Sequence, residues 1–143
     1  MKREESIDYR IKSTWHAIAR MYNQKAATVD KLTTSIGFVL INVSSTEGTP
    51  VTKIGPMMGL ESRSLTRIVK TMEENGLIYK QADLADKRSV RIFLTEEGIR
   101  LKGLSVKTVK TFNHKIRQML TAEELETFFR VFDKINQVIE NER

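Results

Sequence analysis

Between Glu61 and Asn75, Arg63, Thr66, Arg67 and Lys70 recur at spacings of three and four. Residues at that spacing share one helix face, so this face carries three cations and no acid. Leu65, Ile68, Val69 and Met72 repeat at i, i+3, i+4 and i+7 on another face, which is apolar and can anchor the segment. Ser62 and Ser64 add hydroxyls to its first turn. Guanidinium, ammonium and hydroxyl groups grip phosphate oxygens and donate to guanine edges. A second cationic cluster follows in Asp83-Leu84-Ala85-Asp86-Lys87-Arg88. Asp86 stands two residues before Arg88, where its carboxylate can take the guanidinium in a bidentate pair and fix its direction.

These groups need rigid elements behind them. Asn75-Gly76 ends the helix with residue types that tolerate left-handed geometry. Leu77 to Ala82 and Ser89 to Leu94 then read as two strands, with Val90, Ile92 and Leu94 alternating against Arg91 and Phe93. The Asp83–Arg88 stretch becomes the tip of their hairpin. Upstream, Thr49-Pro50 reads as a helix start, Thr as cap and Pro at the first helical position. That short helix is expected to break around Gly55-Pro56 to Gly59. Residues 33–45, apolar nearly all round from Ile36 to Val43, read as a short buried helix. Helix, turn, helix and basic hairpin, in that order, is the pattern of a winged helix-turn-helix. A helix about 10–12 Å wide fits the roughly 12 Å major groove of B-DNA, and a cationic tip suits the narrower, more negative groove beside it.

Long flanking helices complete the chain. Ile7, Ile11, Trp15, Ile18 and Tyr22 make one apolar stripe. Leu101, Leu104, Thr108, Phe112, Ile116 and Leu120 make a second, with Thr95 as N-cap. Leu125, Phe128, Phe129, Phe132, Ile135 and Ile139 make a third, opened by the capping box Thr121-Ala-Glu-Glu124. Apolar stripes this rich in aromatics at both ends exceed what a small central lobe can cover, so terminal helices of two copies are expected to pair.

The 143 residues, 40% hydrophobic and 29% charged, fit one domain with its own core. With no cysteine, there is no disulfide, thiolate metal site or thiol redox switch. His16 and His114 are the only histidines and lie far apart, so no metal-ligand spacing is present. The most apolar run is far shorter than the roughly 20 residues of a membrane helix, and no secretory signal is visible; a cytoplasmic protein is expected. Formal net charge is +6, which favours polyanionic partners but is common among soluble proteins. A basic helix face or a charged turn alone is most often plain solvated surface, and an Asp–Arg pair an ordinary surface ion pair. It is their fixed order that points to DNA. No phosphate-binding glycine loop, cysteine nucleophile or G-x-S-x-G elbow is present, so no catalytic residue and no cofactor is assigned. A winged helix that uses the same surface for protein contacts remains the competing class.

Asn75-Gly76-Leu77-Ile78, Asp83-Leu-Ala-Asp86-Lys-Arg88 and Leu94-Thr95-Glu96-Glu97-Gly98 resemble the wing of the MarR (multiple antibiotic resistance regulator) family, whose usual motifs are G-hydrophobic-hydrophobic, D-x-x-D-x-R and L-T-x-x-G. Leu65-Thr66-Arg67-Ile68-Val69 is similar to that family's recognition helix. Leu84 stands where the family often has proline. The resemblance implies a mainly α fold with a small β-hairpin wing, one domain over 1–143, dimerisation helices at 1–32 and 99–143, and a DNA-binding lobe at 33–98. It implies a homodimeric regulator of transcription, a repressor by family habit, on an inverted-repeat operator in double-stranded DNA. Carried onto this sequence, base and phosphate contacts fall to Ser62, Arg63, Ser64, Thr66 and Arg67, with Lys70 on phosphate. The wing role falls to Arg88 beside Lys87, and orientation to Asp86. Family members often bind a small aromatic or anionic effector, for which Trp15, His16, Met21 and Tyr22 are candidates, although Trp15 and Tyr22 also fit plain core or a dimer seam.

Overall fold

The computed structural model describes all residues from Met1 to Arg143. After a 3-10 turn at Arg3–Glu5 the elements are α1 (Ile7–Ala26), α2 (Thr34–Asn42), β1 (Thr49–Pro50), α3 (Val51–Met58), α4 (Ser62–Glu74), β2 (Ile78–Ala82), β3 (Val90–Leu94), α5 (Glu96–Gln118) and α6 (Ala122–Asn141). The chain divides into two compact units, Met1–Ser105 and Val106–Arg143.

In the first unit, α2 starts where the Thr33 hydroxyl accepts the Ile36 N–H at 3.1 Å. Its Ile36, Val39 and Leu40 pack with Val43, Ile54, Leu65, Val69, Met72, Leu77, Ile92 and Leu101 in one buried cluster. Burying each large aliphatic side chain contributes roughly 1.5–3 kcal/mol. The inner face of α4 is therefore seated on α2, α3 and the sheet, as its apolar spacing requires.

Two expectations about the middle of the chain need correction. The helix expected after Thr49-Pro50 does start there, but one residue later, at Val51, with Pro50 as its N-cap in place of Thr49. Thr49 and Pro50 themselves pair antiparallel with β3, Thr49 opposite Ile92 and Pro50 opposite Arg91. The Thr49 hydroxyl accepts the Ser44 N–H at 2.9 Å, so it is not free to cap α3. β3 lies between β1 and β2 in the sheet, and proline is tolerated on such an edge strand, where its missing N–H breaks no ladder. The helix also does not break at Gly55-Pro56. It runs through Pro56 to Met58 and stops at Gly59, whose φ of 64° is left-handed. The closing bond is Leu60 N–H to Gly55 carbonyl, 3.0 Å. Pro56 leaves one helical hydrogen bond unmade, and buried Ile54 anchors the helix beside it.

The L-T-x-x-G motif has a direct structural cause. The Thr95 hydroxyl donates to the Gly76 carbonyl at 2.6 Å and accepts the Gly98 N–H at 3.1 Å, capping α5. The Thr95 N–H reaches the Leu77 carbonyl at 3.1 Å. At Gly98, an added Cβ would lie 2.1 Å from that carbonyl oxygen, so only glycine lets α5 start this close to the chain entering β2.

In the second unit, α6 opens with the expected capping box: Thr121 Oγ1 accepts the Glu124 N–H at 3.0 Å, and Glu124 accepts the Thr121 N–H at 2.9 Å. The rings of Phe128 and Phe132 are 4.8 Å apart, centroid to centroid. No α6 residue is buried in the single chain.

Candidate nucleic-acid interface

The fold presents α4 with one face inward and one face to solvent. Leu65, Val69 and Met72 are buried, while Ser62, Arg63, Thr66, Arg67 and Lys70 are exposed. Ser64 is half-buried and stands apart from that outer group. The Thr66 hydroxyl donates to the Ser62 carbonyl at 2.8 Å, so toward a ligand it is an acceptor. Arg63, Arg67 and Lys70 make no salt bridge with any carboxylate, so all three charges stay available. Glu61, the N-cap, makes no side-chain hydrogen bond to the helix, leaving the first-turn N–H groups without a side-chain acceptor.

The tip between β2 and β3 is closed at its base by the Asp83 N–H to Ser89 carbonyl bond, 3.1 Å, and the Ser89 N–H to Asp86 carbonyl bond, 3.0 Å. Two aspartates shape it, each accepting the N–H two residues on, as aspartate does in turns: Ala85 to Asp83 at 2.9 Å and Arg88 to Asp86 at 3.0 Å. Lys87 is exposed, and the Arg88 side chain is 94% exposed. Asp86 does not hold Arg88 by a two-pronged pair. A single oxygen, Oδ1, takes the Arg88 backbone N–H and lies 3.5 Å from Nε. The nearby backbone N–H claims the oxygen first, and the guanidinium is left largely free.

One residue at this tip escaped the sequence reading. Arg91 Nη1 donates to the carbonyls of Glu47 and Gly48 at 3.1 and 3.3 Å, and its Nη2 lies 3.6 Å from Asp83 Oδ2. In the β-ladder Arg91 sits opposite Gln81, which makes Asp83 its diagonal neighbour. Long side chains reach across such diagonals; an acid at the hairpin mouth and an arginine at that offset were the available signal.

Of the effector candidates on α1, Trp15 and Tyr22 share a neighbour. Trp15 and Tyr22 both meet Phe38 of α2, at ring distances of 5.9 and 6.0 Å. Tyr22 is buried, which pushes its hydroxyl pKa up and keeps it neutral. His16 points to solvent and Met21 is half-buried. No helix is long and apolar enough to cross a membrane.

Residues 32–90 match the model of the MarR family. The HTH-type transcriptional regulator TtmR of Methylorubrum extorquens (strain PA1) is 33% identical over 100 residues, 70% of this chain and 51% of that protein. The organic hydroperoxide resistance transcriptional regulator of Bacillus subtilis (strain 168) is 45% identical over 56 residues, 39% of this chain and 38% of that protein. The chain thus spans about half the length of the first of these curated relatives. The solved structure of S. aureus MepR with DNA shares the fold, with a TM-score of 0.84 at 21% identity over 93% of this chain and 98% of that one. Residues 32–90 thus form a MarR-family domain.

Proposed function

We propose that this protein is a sequence-specific DNA-binding regulator of transcription, acting in the cytoplasm as a homodimeric repressor of an inverted-repeat operator. The observation that carries the proposal is the pairing of a solvent-facing surface on α4, whose charges from Ser62 to Lys70 are all cationic, with a wing tip whose Arg88 is almost wholly exposed. In this reading Arg63 and Arg67 donate to base edges and phosphates in the major groove. Ser62, Ser64 and Thr66 add short polar contacts, and Lys70 neutralises a phosphate. Arg88, with Lys87 beside it and Asp86 holding its backbone, enters the adjacent minor groove, where negative potential attracts guanidinium. Two copies, joined through their terminal helices, set the two α4 helices about 34 Å apart, one turn of DNA. No catalytic step is part of the proposal.

A small aromatic or anionic compound releases the DNA. The cluster of Trp15, Tyr22 and Phe38 supports an aromatic contact for it, with His16 and Met21 at the margin. MepR, which shares this fold, was solved in complex with DNA.

The test is fluorescence anisotropy against duplexes tiling the region upstream of the protein's own gene, at several salt concentrations. One duplex bound far more tightly than the rest, with log affinity falling steeply and linearly in log salt, is the expected result. Weak, sequence-independent and salt-insensitive binding to the tiles and to a randomised duplex pool would instead assign the same surface to a protein partner.

A further inference from the structure

The wing tip and the loop ahead of β1 are joined by a single side chain that the proposal above does not use. Arg91 places one nitrogen on the Glu47 and Gly48 carbonyls, and the other near Asp83 Oδ2. Asp83 is only 6% exposed. Its second oxygen, Oδ1, holds the Ala85 N–H that starts the tip. The loop carbonyls reach Arg91 because Gly48 is left-handed, with φ of 68°, and lies against β3. A Cβ there would come within 2.6 Å of the Ile92 carbonyl oxygen and 2.8 Å of the Phe93 ring. A buried carboxylate, a half-buried guanidinium and two loop carbonyls thus tie the tip to the body of the lobe. Arg88 has no such tie; only Asp86 touches it, through one oxygen. Its direction therefore follows the tip backbone.

We infer that Arg91 is a positioning residue for the wing, holding the tip so that Arg88 meets the minor groove already aimed. This rests on the DNA-binding reading. Pre-ordering of this kind gains affinity by removing the ordering cost from the binding step, and it couples Arg91 to Arg88 without either touching the other.

A double-mutant cycle and an exchange measurement test it together. On the tightest duplex of the tiling experiment, Arg91→Gln is expected to weaken binding on the order of tenfold, as Arg88→Ala does. Once Arg91 is replaced, adding Arg88→Ala should cost little more, whereas adding Arg63→Ala should cost its full factor. Asp83→Asn keeps an oxygen for the Ala85 N–H but loses the charge, and should reproduce the Arg91→Gln loss. It serves as the second variant if Arg91→Gln folds poorly by circular dichroism. Amide exchange at Ala85, Arg88 and Ser89, measured without DNA, should quicken by roughly tenfold or more in either variant as the tip opens locally. Unchanged exchange overturns the positioning role whatever the binding result. Arg88→Ala costing the same factor with and without Arg91 overturns the coupling. Quickened exchange in a protein that binds no duplex would sink the DNA reading and leave an ordered wing of another use.

Discussion

Arg88 and Gly98 show how differently residues of two neighbouring motifs act. Arg88 is free in solvent, so its removal should leave folding untouched and fall wholly on binding. Arg88→Ala is expected to lose about 1–3 kcal/mol of DNA affinity with an unchanged melting temperature. Equal affinity in the folded variant would take the wing out of the mechanism. Gly98 is the reverse case. An added methyl would meet the Leu77 carbonyl oxygen at 2.1 Å, and neither backbone segment can yield without moving α5 or β2. Gly98→Ala should therefore destabilise by about 1–3 kcal/mol or more, as overpacking does, read by thermal unfolding. A melt like that of the parent protein would refute the close approach. The motif residues were legible in the sequence because each sits at a fixed offset from a turn. Arg91 was not, because alternation alone assigns it to the solvent side of its strand, and its partners lie on two separate segments, Glu47-Gly48 and Asp83.

At the scale of elements, the helices were legible wherever an apolar stripe met a cap, as at Thr95 and Thr121. The edge strand β1 was not. Thr-Pro ahead of an apolar run reads as a helix start, and that the same two residues also form a strand depends on the β3 edge, which lies far along the chain. Capping gives a quantitative check. Thr121→Ala removes the acceptor for the Glu124 N–H and should cost about 1 kcal/mol, measured by urea unfolding. No loss would mean that α6 is stabilised by packing alone. The first turn of α5 offers a test in pH. The hydrogen bonds from Arg100 hold the Glu97 carboxyl below its ordinary pKa. A lowered folded value means that the stabilisation is present above the unfolded pKa and is lost as pH falls through the folded one. Arg100→Ala should return the Glu97 titration, followed by NMR, toward the ordinary carboxylate value, and a titration left in place would assign the shift to another cause.

At the scale of the whole molecule, the apolar surface of α6 has to be accounted for. Scattered exposed leucines and valines are normal on soluble proteins, but Phe128, Phe129, Val131, Val138 and Ile139 are all exposed along one twenty-residue helix. Phe128 is 51% and Val138 60% exposed, although the Phe128 ring already touches those of Phe129 and Phe132. On α1, Ile7, Ile11 and Trp15 are exposed in the same way. Contiguous apolar stripes rimmed by charge mark association surfaces, and in the proposed homodimer a second copy of the chain would cover them with closed two-fold symmetry. Replacing both Phe128 and Phe132 with glutamate should therefore give a monomer in light scattering, or a protein that no longer folds. A single Val138→Glu, at a site 60% exposed in its own chain, separates those outcomes by weakening the dimer while leaving the fold intact. The consequence for DNA follows from charge. A monomer contacts half as many phosphates, so its salt slope should fall to about half that of the dimer. A folded dimer that survives all three glutamates would place the interface elsewhere, and the same steep slope in a proven monomer would show that one lobe carries the whole contact with DNA.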